Sequence, residues 1–384
     1  MHKVADNPWL RGLALMAGVG LALPWVHDGL LMHGLKLTAA AILITYALVP
    51  VAVRLAWKAG AVDYPDARRR HAGAVPRLGG LAVLMSVNLT LLLNFNYSLQ
   101  LKGVCISAMI VALFSLWDDV RELSAGIKLA GQLLALTILY ASGVHVELAP
   151  AVWWGSAIEF LVTALWVIGI TNAFNFLDGI NGLAASLAAA VCTLMALLAW
   201  HTRQTYMLLL CLAMMGAATG FLPDNARYRT PPRTFLGDVG SIYLGWMMAA
   251  IAVMGDWSSE GPLKAYSAPM LIFSVMIFDM IYTTVARIVA GHVRSVREWI
   301  EFVGRDHLHH RLMAMGCSEA QAVVVIVTIS LLMGLAALAL VEGSMTSAWL
   351  LLAQAVVFYG VLSFLMLRNP GNGSETLSSD DRTG

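Results

Sequence analysis

Long apolar runs, each cut by a short polar segment, follow one another along almost the whole chain. Since a helix needs roughly 20 apolar residues to cross a bilayer, twelve runs qualify as candidate spans: about 9–27, 36–57, 79–97, 102–117, 127–143, 156–171, 182–200, 205–222, 237–254, 266–289, 320–341 and 346–367. The first is the weakest, because Pro24 and Gly29 interrupt it. The third carries Asn88 and Asn94, which predicts packing against other helices instead of lipid. The pattern predicts an all-α polytopic membrane protein of about eleven to twelve transmembrane helices, formed by a single domain over 1–368. The segment 369–384, rich in Gly, Ser and Asp, is expected to be a disordered tail.

Composition sharpens this reading. The chain is 59% hydrophobic and 12% charged, about half the charge of a soluble protein, which argues against a soluble enzyme and against a nucleic-acid partner. Lys3 and Arg11 precede an apolar stretch in the manner of a signal peptide, but no A-x-A-like cleavage site follows, so a retained first helix is expected. The four cysteines show no paired spacing and predict neither a disulfide framework nor a zinc knuckle. The net charge of +1 conceals an asymmetry: 16 of the 24 Lys and Arg fall in the segments after spans two, four, eight and ten or within four residues of the span ends beside them. The positive-inside rule places those loops, and with twelve spans both chain ends, in the cytoplasm.

The unusual polar residues fall in the same loops. Between two apolar runs stands T-N-A-F-N-F-L-D-G-I-N-G-L-A (Thr171 to Ala184), where Asn172, Asn175, Asp178 and Asn181 recur every third residue and share one face of a turn or helix start. A carboxylate with amide partners on one face can hold a cation. Span four ends in Asp118-Asp119, two adjacent acids that need a cation nearby. Lys128 opens span five, near a helix start that already favours an anion. Asp238 sits in F-L-G-D-V-G-S at the head of span nine, where helix capping is the simpler use. The loop after span two carries Arg68, Arg69, Arg70 and His71, suited to lipid headgroups or to phosphate. After span ten comes R-D-H-L-H-H-R, in which Arg305 and Arg311 flank His307, His309 and His310 and favour an anion over a metal. Carboxylates for Mg²⁺ beside cations for phosphate describe a phosphoryl-transfer site.

Five ordered motifs, R-R-R-H…P-R-L-G-G, W-D-D, N-A-F-N-F-L-D-G-I-N-G-L-A, F-L-G-D-V-G-S and R-D-H-L-H-H-R-L, cover Asp63 to Leu312. In them the chain resembles the polyprenyl-phosphate N-acetylhexosamine-1-phosphate transferase family, its WecA/TagO branch more than its MraY branch. The resemblance implies transfer of a sugar-1-phosphate from a UDP-N-acetylhexosamine to polyprenyl (undecaprenyl) phosphate, with release of UMP and with Mg²⁺, for which Mn²⁺ can substitute. It implies catalytic roles for Asp118, Asp119 and Asp178, and metal binding by Asp238 and Asn175. Lys128 is implied near the diphosphate, Phe235 against uracil, and Arg305, His307, His309 and His310 as a sugar-phosphate clamp. Arg70, His71, Asn172 and Asn181 join the expected substrate-binding set. Two positions depart from the family pattern: Glu122 and Asn181 stand where other members carry Asp.

The resemblance also implies a multi-pass protein of the cytoplasmic membrane, with the site on the cytoplasmic side, serving cell-envelope polysaccharide synthesis; a homodimer is left open. N-acetylglucosamine is the first expectation for the sugar, ahead of another amino sugar or a muramyl pentapeptide. A rival from another class, a cation-coupled transporter, predicts acids at mid-span and paired half-helices.

Overall fold

The computed structural model describes residues 7–23, 29–64, 73–94, 98–150, 152–295, 298–299, 302, 304 and 306–368, with Asn94, Leu367 and Arg368 described by backbone alone. The expected tail 369–384 lies outside them. The chain divides into two compact units, Met1–Asp256 and Trp257–Gly384.

The first unit holds α1 (Pro8–Ala22), α2 (Leu30–Ala59), a hairpin of two-residue strands β1 (Val62–Asp63) and β2 (Val75–Pro76), then α3 (Gly80–Asn94), α4 (Leu99–Val120), α5 (Ala125–Ala141), α6 (Trp153–Leu177), α7 (Leu183–His201), α8 (Thr205–Asn225) and α9 (Gly237–Met254). The second holds α10 (Pro262–Ile272), α11 (Ser274–Val289), α12 (Leu308–Ala314), α13 (Glu319–Glu342) and α14 (Met345–Arg368). Each of the twelve apolar runs is thus helical over most of its described residues. Among the described residues, eight helices are long and apolar enough to span a membrane, or nine if α10 and α11 count as one span bent by 74°. The helices α1, α3 and α5 are shorter. The protein is therefore an all-α, multi-pass membrane protein, with fewer full-length spans than apolar runs. The single bent pair among the described residues does not supply the two matched half-helices that a transporter predicts.

In the first unit α9 is the central helix. Every residue from Val239 to Ala252 is buried, as expected of a helix apolar all round, and neighbouring helices reach in to satisfy or use its polar groups. The Trp246 indole donates to Ser107 on α4 (2.9 Å), and Trp166 on α6 donates to the Ala249 carbonyl (3.2 Å). Asn88 on α3 donates to the Tyr243 hydroxyl (2.9 Å), so this amide faces protein as its place in an apolar run predicts. A Cβ on Gly80 would meet the Gly240 Cα at 2.3 Å, so α3 and α9 touch backbone to backbone there.

In the second unit the fully buried Lys264 on α10 donates to the carbonyls of Val341 (3.2 Å) and Gly343 (2.5 Å), at the C-terminal end of α13, and to Glu260 (2.6 Å). A cation at the negative end of a helix satisfies the carbonyls the helix cannot, which explains a fully buried charge on α10.

Candidate active site

In the first unit, four helix ends meet where sequence reasoning places the chemistry. The last turn of α4 presents Asp118 and Asp119, which point to different partners. Asp118 accepts the Leu123 N–H at 2.7 Å through one oxygen and pairs with the Lys128 ammonium, from the first turn of α5, through the other. Lys128 also reaches Asp238 at 3.3 Å. Asp119 turns to the start of α9, whose own N-cap residue, Leu236, offers no side-chain cap. Its two oxygens accept the N–H groups of Asp238 (3.1 Å) and Val239 (2.9 Å). A carboxylate from one helix thus caps the positive end of another. The fit needs Gly237 in the left-handed region (φ 73°), where a Cβ would collide with the Arg77 carbonyl at 2.0 Å and crowd Asp119 at 2.9 Å. The repulsion expected between adjacent acids is relieved by separate partners, an ammonium for one and a helix N-terminus for the other.

The last turn of α6 supplies Asn175, which donates to Asp238 (3.1 Å) and to the Ser241 hydroxyl (2.8 Å). The two residues expected to hold a metal are therefore neighbours. Asp178 follows at the C-cap, its N–H bonded to the Asn175 carbonyl. Desolvation first, then the negative charges of Asp238 and Asp119, push its carboxyl well above the ordinary carboxylate range. Among the described residues no group of three or more His, Cys, Asp or Glu is arranged to hold a metal ion. The donor set is nonetheless one of hard oxygens, and the Lys128 ammonium already stands as a cation between Asp118 and Asp238. Asp118, Asp238 and the Asn175 amide oxygen suit a small divalent cation in chemistry.

The remaining expected residues of this unit separate into neighbours and supports. Asn172 forms a reciprocal amide pair with Gln132 (2.9 and 3.2 Å), tying α6 to α5. Asn181 is half-buried in the turn that enters α7, where Gly182 (φ 78°) donates its N–H to Asn225 (2.8 Å), and Asn225 donates onward to the Thr234 carbonyl (3.0 Å). Phe235, half-buried, is held by its backbone: its N–H donates to Pro76 (2.8 Å) and its carbonyl accepts from Gly79 (3.0 Å). The β-hairpin thereby fixes the loop that leads into α9. Arg70 and His71 lie outside the described residues, as does Arg305 in the second unit.

The histidine loop belongs to the second unit. Asp279 on α11 accepts from the Leu308 N–H (2.6 Å) and pairs with His307 Nδ1 (2.7 Å), capping α12 while holding the first histidine. Arg287 on α11 grips Asp306 with two bonds (2.7 and 2.6 Å) and lies 3.3 Å from His307 Nε2. Burial opposes ionisation of Asp306, but the Arg287 bonds and charge prevail and hold it below the usual carboxylate range. Arg311 donates to the Asp306 carbonyl (2.7 Å) and lies 4.9 Å over the Tyr282 ring. His309 is fully buried between His307 and His310, with ring centroids at 6.4 and 4.1 Å. Neither of its nitrogens has a hydrogen-bond partner among the described residues. Burial, then the charges of His310 and His307, push it well below the ordinary histidine value. The loop is thus built around a neutral central ring, whereas an anion clamp read from sequence favours charged ones.

Asp279, Arg287, Gln132 and Asn225 escaped sequence reasoning. Asp279 and Arg287 had a usable signal, since an ionisable residue inside a predicted span needs a partner or a function.

The geometry agrees with similarity to known proteins. Residues 101–256 match glycosyl transferase family 4. The chain is 29% identical over 322 residues to a probable undecaprenyl-phosphate N-acetylglucosaminyl 1-phosphate transferase of Bacillus subtilis, covering 82% of this chain and 87% of that one. It is 31% identical over 348 residues to the decaprenyl-phosphate N-acetylglucosaminephosphotransferase of Mycobacterium tuberculosis, covering 82% and 84%. An undecaprenyl-phosphate alpha-N-acetylglucosaminyl 1-phosphate transferase of Yersinia pestis is 26% identical over 332 residues, covering 83% and 88%. By these matches the chain belongs to glycosyl transferase family 4, among the polyprenyl-phosphate N-acetylhexosamine-1-phosphate transferases.

Proposed function

We propose that this chain transfers N-acetylglucosamine-1-phosphate from UDP-N-acetylglucosamine to a polyprenyl phosphate, undecaprenyl phosphate first, and releases UMP. An oxygen of the lipid phosphate forms a bond to the β-phosphorus of the donor. The bond from that phosphorus to the bridging oxygen breaks, and UMP departs with the electron pair. The observation that carries this reading is the meeting of Asp118, Lys128, Asn175 and Asp238 at adjoining helix ends in a chain that belongs to this family.

Both reactants are anions, so positive charge must screen them before they approach within reacting distance. Lys128, partly exposed beside Asp118, is the chain's own contribution. Asp118, Asp238 and the Asn175 amide oxygen are the residues that would hold Mg²⁺ or Mn²⁺, which when bound supplies charge neutralisation at the phosphates. Asp119 uses both oxygens to orient the start of α9 and so aims Asp238; of the two adjacent acids, this leaves Asp118 as the one to take a proton from the lipid phosphate. Asn175 keeps Asp238 in one orientation.

The basic loops support a cytoplasmic face for this end of the helices, where a lipid phosphate lies at headgroup depth. The test is to incubate purified protein with undecaprenyl phosphate, Mg²⁺ and a panel of UDP-sugars. UMP release that requires the lipid, is fastest with UDP-N-acetylglucosamine and stops with EDTA is the expected result. UMP release without the lipid, or none with any UDP-amino sugar, contradicts the proposal.

A further inference from the structure

The strongest unassigned feature is a knot of charge between α1, α2 and α8. Pro50 interrupts α2 and has no N–H, so the Tyr46 carbonyl, one turn earlier, loses its helical partner. Arg11 of α1 fills that vacancy, donating to the Tyr46 carbonyl at 2.5 Å with its guanidinium 4.2 Å over the Tyr46 ring. The same guanidinium grips Asp224, at the end of α8, at 3.0 and 3.2 Å, and Arg233 reaches Asp224 from the other side at 2.7 Å. Arg11 and Asp224 are buried, at 6% and 0% exposure.

Beside this knot lies a cavity of about 260 Å³ lined by Arg11, Arg54, Arg233 and Asp224 with Val49, Pro50 and Val53. Of these lining residues three carry guanidinium groups and one a carboxylate. Among the described residues Arg54 is exposed and has no carboxylate partner. Guanidinium groups suit phosphate oxygens, and the wall opposite is aliphatic. The cavity is smaller than the roughly 300–1,000 Å³ typical of drug-sized ligands, so it admits a headgroup phosphate and not a nucleotide sugar. It sits at the ends of apolar helices, the depth at which lipid phosphates lie.

We propose that this cavity is a binding site for the phosphate of an anionic membrane lipid, separate from the acid cluster. The ligand class is a phosphodiester or phosphomonoester on an apolar tail. Its phosphate engages Arg54, while its first methylenes lie on Val49, Pro50 and Val53. Occupancy bears on the candidate active site through short covalent steps. Asp224 precedes Asn225, which holds the Gly182 N–H and the Thr234 carbonyl, and Arg233 precedes Thr234 and Phe235. The binding claim stands on the cavity itself and does not depend on the proposed reaction.

The test titrates delipidated full-length protein in detergent with short-chain phosphatidylglycerol, phosphatidylcholine and inorganic phosphate, read by native mass spectrometry. Four proteins are compared: the wild type, Arg54→Gln, Arg54→Lys and Val53→Trp, which fills the cavity; circular dichroism checks their fold. Phosphatidylglycerol should bind the wild type and Arg54→Lys. It should bind Arg54→Gln and Val53→Trp about tenfold more weakly, the scale of one lost charge-assisted contact. Phosphatidylcholine should compete poorly. Equal binding of phosphatidylglycerol by folded wild type, Arg54→Gln and Val53→Trp overturns the site. Competition by inorganic phosphate as strong as by the lipid overturns the assignment to lipid.

Discussion

Asp119 in the first unit and Asp279 in the second do the same structural work with opposite visibility. Each lies on an apolar helix, each spends an oxygen on a backbone N–H at the start of another helix, and each fixes a neighbour expected to act in chemistry: Asp238 for the one, His307 for the other. The environments they create differ. Around Asp119 the carboxylates of Asp118, Asp119 and Asp238 each have a cation, an amide or a helix end, and Lys128 remains partly exposed. Around Asp279, His307 is held by Asp279 and Arg287 and Asp306 by Arg287, while the central His309 is buried with no partner among the described residues. The first region concentrates charge, and the second buries an uncharged ring.

The largest effects should come from separating Asp118 from Asp119. If Asp118 carries the proton and Asp119 only positions, Asp118→Asn should lower turnover by about 10²-fold or more. Asp119→Asn, which still accepts a backbone N–H, should stay within about tenfold of the wild type, whereas Asp119→Ala loses the cap and about 1 kcal/mol of stability. Equal losses for the two Asn variants would erase the distinction. Asp238→Asn should also cost on the order of 10²-fold, measured as UMP release.

Next in size is the anchor of the histidine loop. Asp279→Ala frees His307 and uncaps α12, and kcat/KM for the UDP-sugar should fall between about ten- and a hundredfold with Mg²⁺ dependence intact. His309→Ala should cost about tenfold in the same quantity. An unchanged kcat/KM in a folded His309→Ala protein would return the loop to a packing role.

All twelve apolar runs form helices over most of their described residues, because a span of apolar residues has few alternatives in a bilayer. Their exact reach was less legible: α1, α3 and α5 are shorter than a full crossing, and the break between α10 and α11 comes one turn after Pro269, a position no periodicity marks. In the site, residues embedded in polar motifs were visible, among them Asp118, Asp119, Asn175, Asp178 and Asp238. Their division of labour was not, since only coordinates show Asp119 turned to α9 and Asn172 paired with Gln132. Asp279 and Asn225 were missed for a related reason. Asp279 is a lone acid inside an apolar run and Asn225 stands just past the end of one, and their partners lie tens of residues away or in the next loop.

A smaller effect concerns pH. Because burial holds His309 below its ordinary value, the unfolded ring, near pKa 6.5, takes a proton that the folded ring refuses. Stability should therefore fall as pH drops below about 6.5, and His309→Leu should flatten that slope in thermal unfolding between pH 6.5 and 5. Asp306 is shifted in the same direction but acts in a lower pH window. Its contribution is present above the unfolded carboxylate value near 3.9 and disappears only as pH falls below it, so it cannot account for a loss at pH 5 to 6.5. A slope unchanged in His309→Leu would place the titrating group elsewhere.

Sidedness can be checked with single cysteines in a cysteine-free background. Arg229→Cys and Met315→Cys should resist an impermeant maleimide added to intact cells, while Glu260→Cys should react. Labelling of Arg229→Cys from outside would invert the assignment.

The most direct test of the central claim follows the fate of one atom. With UDP-N-acetylglucosamine labelled at the β-phosphorus, undecaprenyl phosphate and Mg²⁺, the label should move into the lipid fraction in step with UMP release, and Asp118→Asn should abolish both. Label that stays in UDP while sugar enters the lipid would show cleavage of the sugar–phosphate bond instead, and would contradict transfer of a sugar-1-phosphate by this cluster.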